Sequence, residues 1–171
     1  MSSSNLRASR FRAGRKSANV DENGVPVRIL VADDHAVVRT GLRAILGQRE
    51  DWEICAEAAT GFEAVVLAKQ FRPEVAVIDL NMSGQSGIEA AAEIKKSVPG
   101  VEIVVLTLYY SKALLDTATK AGALGFVLKS DVDRDLIAAV EAVRCQRPFV
   151  PPIAATASSA ALESPRRRGH L

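Results

Sequence analysis

Short apolar runs alternate with segments whose apolar positions recur every three or four residues through most of this chain. The first run, Val27-Arg28-Ile29-Leu30-Val31-Ala32, stops at Asp33-Asp34. From about His35 to Gln48, Val38, Leu42, Ile45 and Leu46 share one helical face. Asp34 or His35 falls at the start of that helix, where hydrogen-bond acceptors are favoured. Trp52 to Ala58 alternates apolar and polar side chains, which predicts a strand at or near a sheet edge. A helix from about Phe62 to Gln70 is predicted to pack through Phe62, Val65, Val66 and Ala68 and to end at Phe71-Arg72-Pro73. Val75 to Ile78 has no alternation and is largely β-branched, the pattern of a strand buried on both faces, and it runs into Asp79.

The alternation continues. Ser83 to Gly87 reads as a loop, and Ile88 to Ser97 as an Ala-rich helix stopped by Pro99-Gly100. Glu102 to Leu106 is a fourth strand ending at Thr107. A helix from about Lys112 to Ala121 carries Leu114, Leu115 and Ala118 and is closed by Gly122 as a C-cap glycine. Gly125 to Leu128 is a fifth strand ending at Lys129. Ser130-Asp131 is expected to cap a last helix, to about Cys145, with Leu136, Ile137, Val140 and Val143 inward. Five strands alternating with five helices through such short connections imply an α/β fold, one parallel sheet joined by right-handed crossovers. Residues 1–26 lack this periodicity and read as a flexible leader, and the Pro/Ala/Ser-rich stretch 148–171 reads as a linker or disordered tail.

Composition adds limits. The 171 residues suit one domain with tails, and 48% hydrophobic with 25% charged residues is ordinary for a soluble globular chain. Of the 22 basic and 20 acidic side chains, 14 and 17 fall within residues 27–147, so the central domain carries −3 while the tails are basic. Nothing in that balance calls for nucleic acid as a partner of the folded part. Cys55 and Cys145 are far apart and in no metal-like spacing, as expected of reduced thiols in a cytoplasmic protein. No apolar run reaches membrane-spanning length, and no signal-peptide segment follows the basic start.

The strand ends carry the chemistry. They bring Asp33, Asp34, Asp79, Thr107 and Lys129 to one mouth of the sheet if their strands are neighbours, and in open parallel sheets ligands bind there. Two carboxylates about 5 Å apart repel by about 3 kcal/mol at an effective dielectric of about 20. Raised pKa values or a bound cation would relieve this. An all-oxygen donor set favours a hard ion such as Mg²⁺. A carboxylate beside a cation, a lysine and a threonine suits phosphoryl transfer, with an aspartate as the covalent nucleophile forming an acyl phosphate. No residue of the set activates water, so the acyl phosphate is expected to persist. Phe126, taken alone, reads as an ordinary core aromatic.

These residues also carry a family resemblance. Ile29-Leu30-Val31-Ala32-Asp33-Asp34-His35, Val77-Ile78-Asp79-Leu80-Asn81-Met82 with Gly87 downstream, Val105-Leu106-Thr107, and Gly122 to Lys129 together resemble the receiver domain of bacterial two-component response regulators, over about residues 27–147. The details are most similar to the nitrate-regulator, LuxR-type subfamily with a C-terminal helix-turn-helix. The resemblance implies a flavodoxin-like three-layer sandwich of strand order 2-1-3-4-5, the order known from flavodoxin and a chemotaxis receiver. It implies Asp79 as phosphoacceptor and Mg²⁺ held by Asp34, Asp79 and the Asn81 backbone carbonyl, with Asp33 acting through water. It implies Lys129 on the phosphoryl group and Thr107 with Phe126 as a switch pair, Thr107 moving toward the phosphate and Phe126 turning inward. The implied partner is a sensor histidine kinase; because two or three charge-assisted hydrogen bonds leave little surplus for a switch, a second copy meeting through the 112–121 and 132–145 helices is also expected.

Three departures stand out. Ser83 replaces the family's usual proline, removing a φ restraint from the loop that carries Asn81. Leu108-Tyr109-Tyr110 replaces polar residues, and bulky Tyr109 lies where access of water to the acyl phosphate is tuned. A DNA-binding member continues into a helix-turn-helix of roughly sixty residues as the resemblance has it, whereas this sequence ends at Leu171 after Leu162-Glu163-Ser164-Pro165-Arg166, a run similar to the one before that domain. The expectation is a truncated or frameshifted DNA-binding regulator that does not itself bind DNA, and not an enzyme. The rival readings are an Mg²⁺-dependent aspartyl-phosphate phosphatase, whose acid/base position is taken here by Asn81, and an interaction module that is never phosphorylated.

Overall fold

The computed structural model describes residues 25–152. The expectations for residues 1–24 and 153–171 lie outside the described residues. The strands are β1 (Val27–Ala32), β2 (Trp52–Ala58), β3 (Val75–Asp79), β4 (Glu102–Thr107) and β5 (Ala123–Leu128). The helices are α1 (Ala36–Leu46), α2 (Gly61–Phe71), α3 (Gly87–Ser97), α4 (Lys112–Lys120) and α5 (Val132–Arg144). A short 3-10 turn, Lys129–Asp131, joins β5 to α5.

All four pairings are parallel and the sheet runs β2-β1-β3-β4-β5, as the resemblance implied. Alternation along each strand divides the core in two. Leu30, Ala76, Ile78, Ile103, Val105 and Phe126 face α2, α3 and α4. Ile29, Val31, Val77, Val104, Leu106 and Val127 face α1 and α5 with Leu42, Leu46, Leu136 and Val140. Because β3 and β4 are covered on both faces, every residue in them is buried. The edge strand β2 keeps polar side chains outward, where Glu57 pairs with Arg43 at 2.9 Å.

Helix ends follow local chemistry. Thr60, Ser86 and Ser111 each accept a backbone N–H as N-caps, and Ser86 with Glu89 completes a capping box. Gly122 follows the last residues of α4 at φ 97°, a left-handed conformation that suits glycine.

Four expectations need correction. On α2 the predicted packing residues Phe62 and Val66 point outward, Phe62 being 71% exposed, while Ala64, Val65 and Ala68 pack inward. The reason is the close approach of α2 to the loop before α3: a Cβ on Gly61 would lie 2.8 Å from the Gln85 carbonyl oxygen, so the small-residue face is the buried one. Strand β5 starts at Ala123, two residues earlier than its apolar run suggested. Neither Ser130 nor Asp131 caps α5 through its side chain; the Ser130 hydroxyl donates to Asp131, whose carboxylate pairs with Arg134. The packed unit also runs past residue 147. Gln146 turns the chain at φ 56°, and Phe149 then lies beside β5, donating to the Leu124 carbonyl at 3.0 Å and accepting from Phe126 N–H at 2.8 Å.

Candidate functional site

The carboxyl ends of β1, β3 and β5 converge on one mouth. Asp33 is fully buried immediately after β1, and Asp79, 1% exposed, is the last residue of β3. Lys129, the first residue after β5, reaches between them. Its ammonium hydrogen-bonds Asp33 Oδ2 at 2.7 Å and forms an ion pair with Asp79 Oδ2 at 2.8 Å. Burial alone would lower the Lys129 pKa, but the attraction of Asp33 and Asp79 outweighs it and holds the value above the ordinary lysine range. Lys129 is therefore a fixed cation at neutral pH.

Each carboxylate is further held by its neighbours. Asp33 Oδ1 accepts the backbone N–H of His35 at 2.8 Å, and the Asp33 carbonyl accepts from Arg39 at 2.7 Å. Asp79 Oδ1 accepts the Asn81 N–H at 3.1 Å. Asp34 Oδ2 accepts two donors from the far side of the mouth, the Ser83 N–H at 3.1 Å and the Ser83 hydroxyl at 2.7 Å. The Ser83 hydroxyl is the largest influence in keeping the Asp34 pKa below the usual carboxylate value, against a smaller opposing effect of burial. The loop that brings Ser83 here is set by Gly87: a Cβ there would fall 2.0 Å from the Asp79 carbonyl oxygen, so only glycine lets α3 start against the end of β3.

Asp33, Asp34, Asp79 and His35 offer ligand atoms that all lie within 4.8 Å of one another. Within this cluster Asp34 Oδ1 and Asp79 Oδ2 are buried and have no donor in hydrogen-bond geometry, their nearest polar neighbours being His35 Nδ1 at 2.7 Å and Lys129 Nζ at 2.8 Å. Two buried anionic oxygens aimed into one small space match the demands of a hard cation such as Mg²⁺. His35 Nδ1 lies against two of these carboxylates, 2.7 Å from Asp34 Oδ1 and 3.3 Å from Asp33 Oδ1.

Thr107 and Phe126 border this cluster without joining it. The buried Thr107 hydroxyl donates to the Tyr109 carbonyl at 3.0 Å. The Phe126 ring is already inward and meets Tyr110 edge-on, with centroids 6.3 Å apart and planes at 83°. Of the residues singled out from sequence, Asp33, Asp34, Asp79 and Lys129 thus come together, and Asn81 joins through its N–H. Three contributors were not assigned roles in the cluster. His35 sat in the first motif beside Asp34, Ser83 was marked only as a lost proline, and Arg39 carried no signal.

The profile of one protein family, the response regulator receiver domain, matches residues 29–141, about two thirds of the chain. The chain belongs to the response regulator receiver family. Among curated relatives, it is 43% identical over 118 residues to the oxygen regulatory protein NreC of Staphylococcus epidermidis, covering 68% of this chain and 54% of that protein. The NreC protein of Staphylococcus haemolyticus is 42% identical over the same length. The chain therefore spans about half the length of the curated relatives it matches. Among solved structures, a LuxR-family response regulator from Aurantimonas superposes with a TM-score of 0.75 at 34% identity, covering 81% of this chain and 99% of that one. The receiver domain of the response regulator NarL from Mycobacterium tuberculosis gives 0.68 at 28%, covering 72% and 99%. These relatives agree with the nitrate-regulator, LuxR-type resemblance, and the receiver fold accounts for the strand order and for acidic residues at the ends of β1 and β3. Among the described residues, no helix is long and apolar enough to cross a membrane.

Proposed function

We propose that this receiver domain is a phosphoacceptor switch in which Asp79 takes a phosphoryl group from the phosphohistidine of a sensor kinase. The observation that carries the reading is the position of Asp79: a buried carboxylate at a strand end, ion-paired to Lys129 and oriented by Asn81 N–H. An ionised carboxylate needs no general base, and its Oδ2 lies 2.8 Å from the Lys129 ammonium, a cation ready for the incoming phosphoryl oxygens. In the reaction, Asp79 forms a P–O bond as the donor's P–N bond breaks, and the leaving imidazole takes up a proton. Lys129, already cationic between Asp33 and Asp79, stays beside the transferred group and balances its charge. Asp34, Asp79 and the Asn81 carbonyl would hold Mg²⁺ directly, with Asp33 acting through water; when bound, the ion supplies charge neutralisation of the phosphoryl oxygens.

Phosphorylation then places an acceptor within reach of Thr107. Its hydroxyl leaves the Tyr109 carbonyl for the phosphoryl oxygen, and Phe126, on the neighbouring strand, holds the inward position. Moving a two-state equilibrium from 1:99 to 99:1 takes about 5.5 kcal/mol. Charge-assisted hydrogen bonds give roughly 1.5–3 kcal/mol each. Two or three such bonds leave little surplus, so self-association through α4 and α5, which flank β5, completes the switch. The same reading places the chain in the cytoplasm, where Cys55 and Cys145, both free, stay reduced. Its relatives are longer regulators, and control of transcription is the output this reading assigns to the whole protein.

Incubation with acetyl phosphate and Mg²⁺ tests the reading. One phosphoryl group per chain, lost in Asp79→Asn and in chelator, is the expected result. Labelling that persists in Asp79→Asn refutes the assignment. Continuous turnover of phosphomonoesters would favour a phosphatase instead.

A further inference from the structure

We propose that Ser83 is a positioning residue for the cation site: its N–H and hydroxyl, both on Asp34 Oδ2, lock the Asp34 carboxylate so that Oδ1 alone faces the metal. This rests on the reading of Asp34 and Asp79 as ligands of a divalent cation. The two donors come at 3.1 and 2.7 Å onto a single oxygen. A carboxylate oxygen has two lone-pair directions, so Oδ2 is fully engaged. Oδ1 is buried, has no donor in hydrogen-bond geometry although His35 Nδ1 lies 2.7 Å away, and belongs to the cluster within 4.8 Å. One oxygen saturated by protein donors and the other turned to the cation is the arrangement that orients coordinating carboxylates.

The contact also joins the two ligand-bearing segments before any ion arrives. Asp33 and Asp34 leave β1, whereas Asp79 and Asn81 leave β3, and Ser83 bridges them across 49 positions of sequence. The receiver resemblance places proline at this position. Proline lacks an N–H and a hydroxyl and can make neither bond; it stiffens the loop only through its fixed φ. Ser83 exchanges that restraint on the backbone for a direct hold on a ligand. Gly84, the next residue, takes φ 85° with open space around it, so the turn beyond gives the loop no comparable side-chain hold.

The test titrates the unphosphorylated full chain with Mg²⁺ alone, followed by calorimetry or amide chemical shifts. Ser83→Ala, which keeps the N–H but loses the hydroxyl, is expected to weaken Mg²⁺ binding by about tenfold, the lower end for removing a partner that orients a ligand. Ser83→Pro is expected to weaken it at least as much, and Ser83→Thr to stay within about twofold of wild type because both donors remain. Melting temperatures in chelator report folding separately. Wild-type affinity in both Ser83→Ala and Ser83→Pro overturns the proposal, as does tighter binding, which would make the serine a competitor of the ion. A threonine variant as weak as alanine overturns it too. If wild type itself takes up no Mg²⁺, the cation reading falls and takes the proposal with it, a result distinct from equal affinities across the series.

Discussion

Replacing Lys129 by methionine keeps the length of the side chain and removes the cation from between two buried carboxylates. In wild type the ammonium lies 2.7 Å from Asp33 and 2.8 Å from Asp79, whose side chains are 0% and 1% exposed. With ligand atoms inside 4.8 Å, the two negative charges then repel by about 3 kcal/mol at an effective dielectric of about 20. That matches the lower end of the roughly 3–5 kcal/mol lost when one partner of a buried ion pair is removed. The Lys129 side chain is itself 14% exposed, so solvent reaches part of the pair and the lower end applies. Urea unfolding, followed by the fluorescence of Trp52, measures the loss. With a slope of about 1.5 kcal/mol per molar, the midpoint in chelator falls by about 2 M.

The sign of the pH dependence follows from the direction of the Lys129 shift. Its folded pKa is raised, so its contribution is complete below the unfolded value of about 10.4 and is lost only as pH rises through the higher folded value. The gap between wild type and variant therefore stays level from neutral to mildly alkaline pH and closes only in strong alkali. Mg²⁺ provides the second check. With the ammonium gone, the site is more negative and holds the ion more tightly, so saturating Mg²⁺ stabilises the variant more than wild type. A loss below about 0.5 kcal/mol, or an equal gain from Mg²⁺ in both proteins, would show that Lys129 is not what neutralises these carboxylates.

Two further outcomes are expected. Tyr109 is itself the residue whose carbonyl Thr107 engages, and its side chain is 61% exposed; if its ring limits approach of water to the acyl phosphate, Tyr109→Ala should shorten the half-life of the phosphorylated protein several-fold, and equal half-lives would remove that role. Gly87→Ala drives a methyl group into the Asp79 carbonyl, 2.0 Å from its oxygen; a stability loss near the top of the roughly 1–3 kcal/mol range for overpacking, with weaker acetyl phosphate labelling, is expected in parallel denaturation and labelling runs.

Much of this architecture is legible along the chain, for a physical reason. Strands covered on both faces must be apolar at every position, so Val75 to Ile78 and Ile103 to Leu106 stand out as uninterrupted runs. A charged residue that ends such a run marks the carboxyl end of the strand, which is why Asp33, Asp79 and Lys129 could be gathered before their distances were known. Periodicity was weaker where two helical faces both looked apolar. On α2 it chose Phe62 and Val66, because spacing alone does not say how near the neighbouring backbone comes. The structure keeps the predicted Val65 and Ala68 inward and adds Ala64, while Phe62 and Val66 turn outward, since Gly61 allows α2 to lie against Gln85.

By itself, then, the sequence determined the elements, their order along the chain and the residues that end the strands, since these depend on local propensity and on burial that repeats with a fixed period. The tertiary structure decided what those end residues touch. Lys129 between Asp33 and Asp79, Ser83 on Asp34 across 49 positions, His35 among the carboxylates, and Phe149 returning along β5 are contacts set by loop paths and rotamers. Loops carry no repeating pattern to read, and a side chain's partner depends on segments distant in sequence that meet only when the sheet has formed.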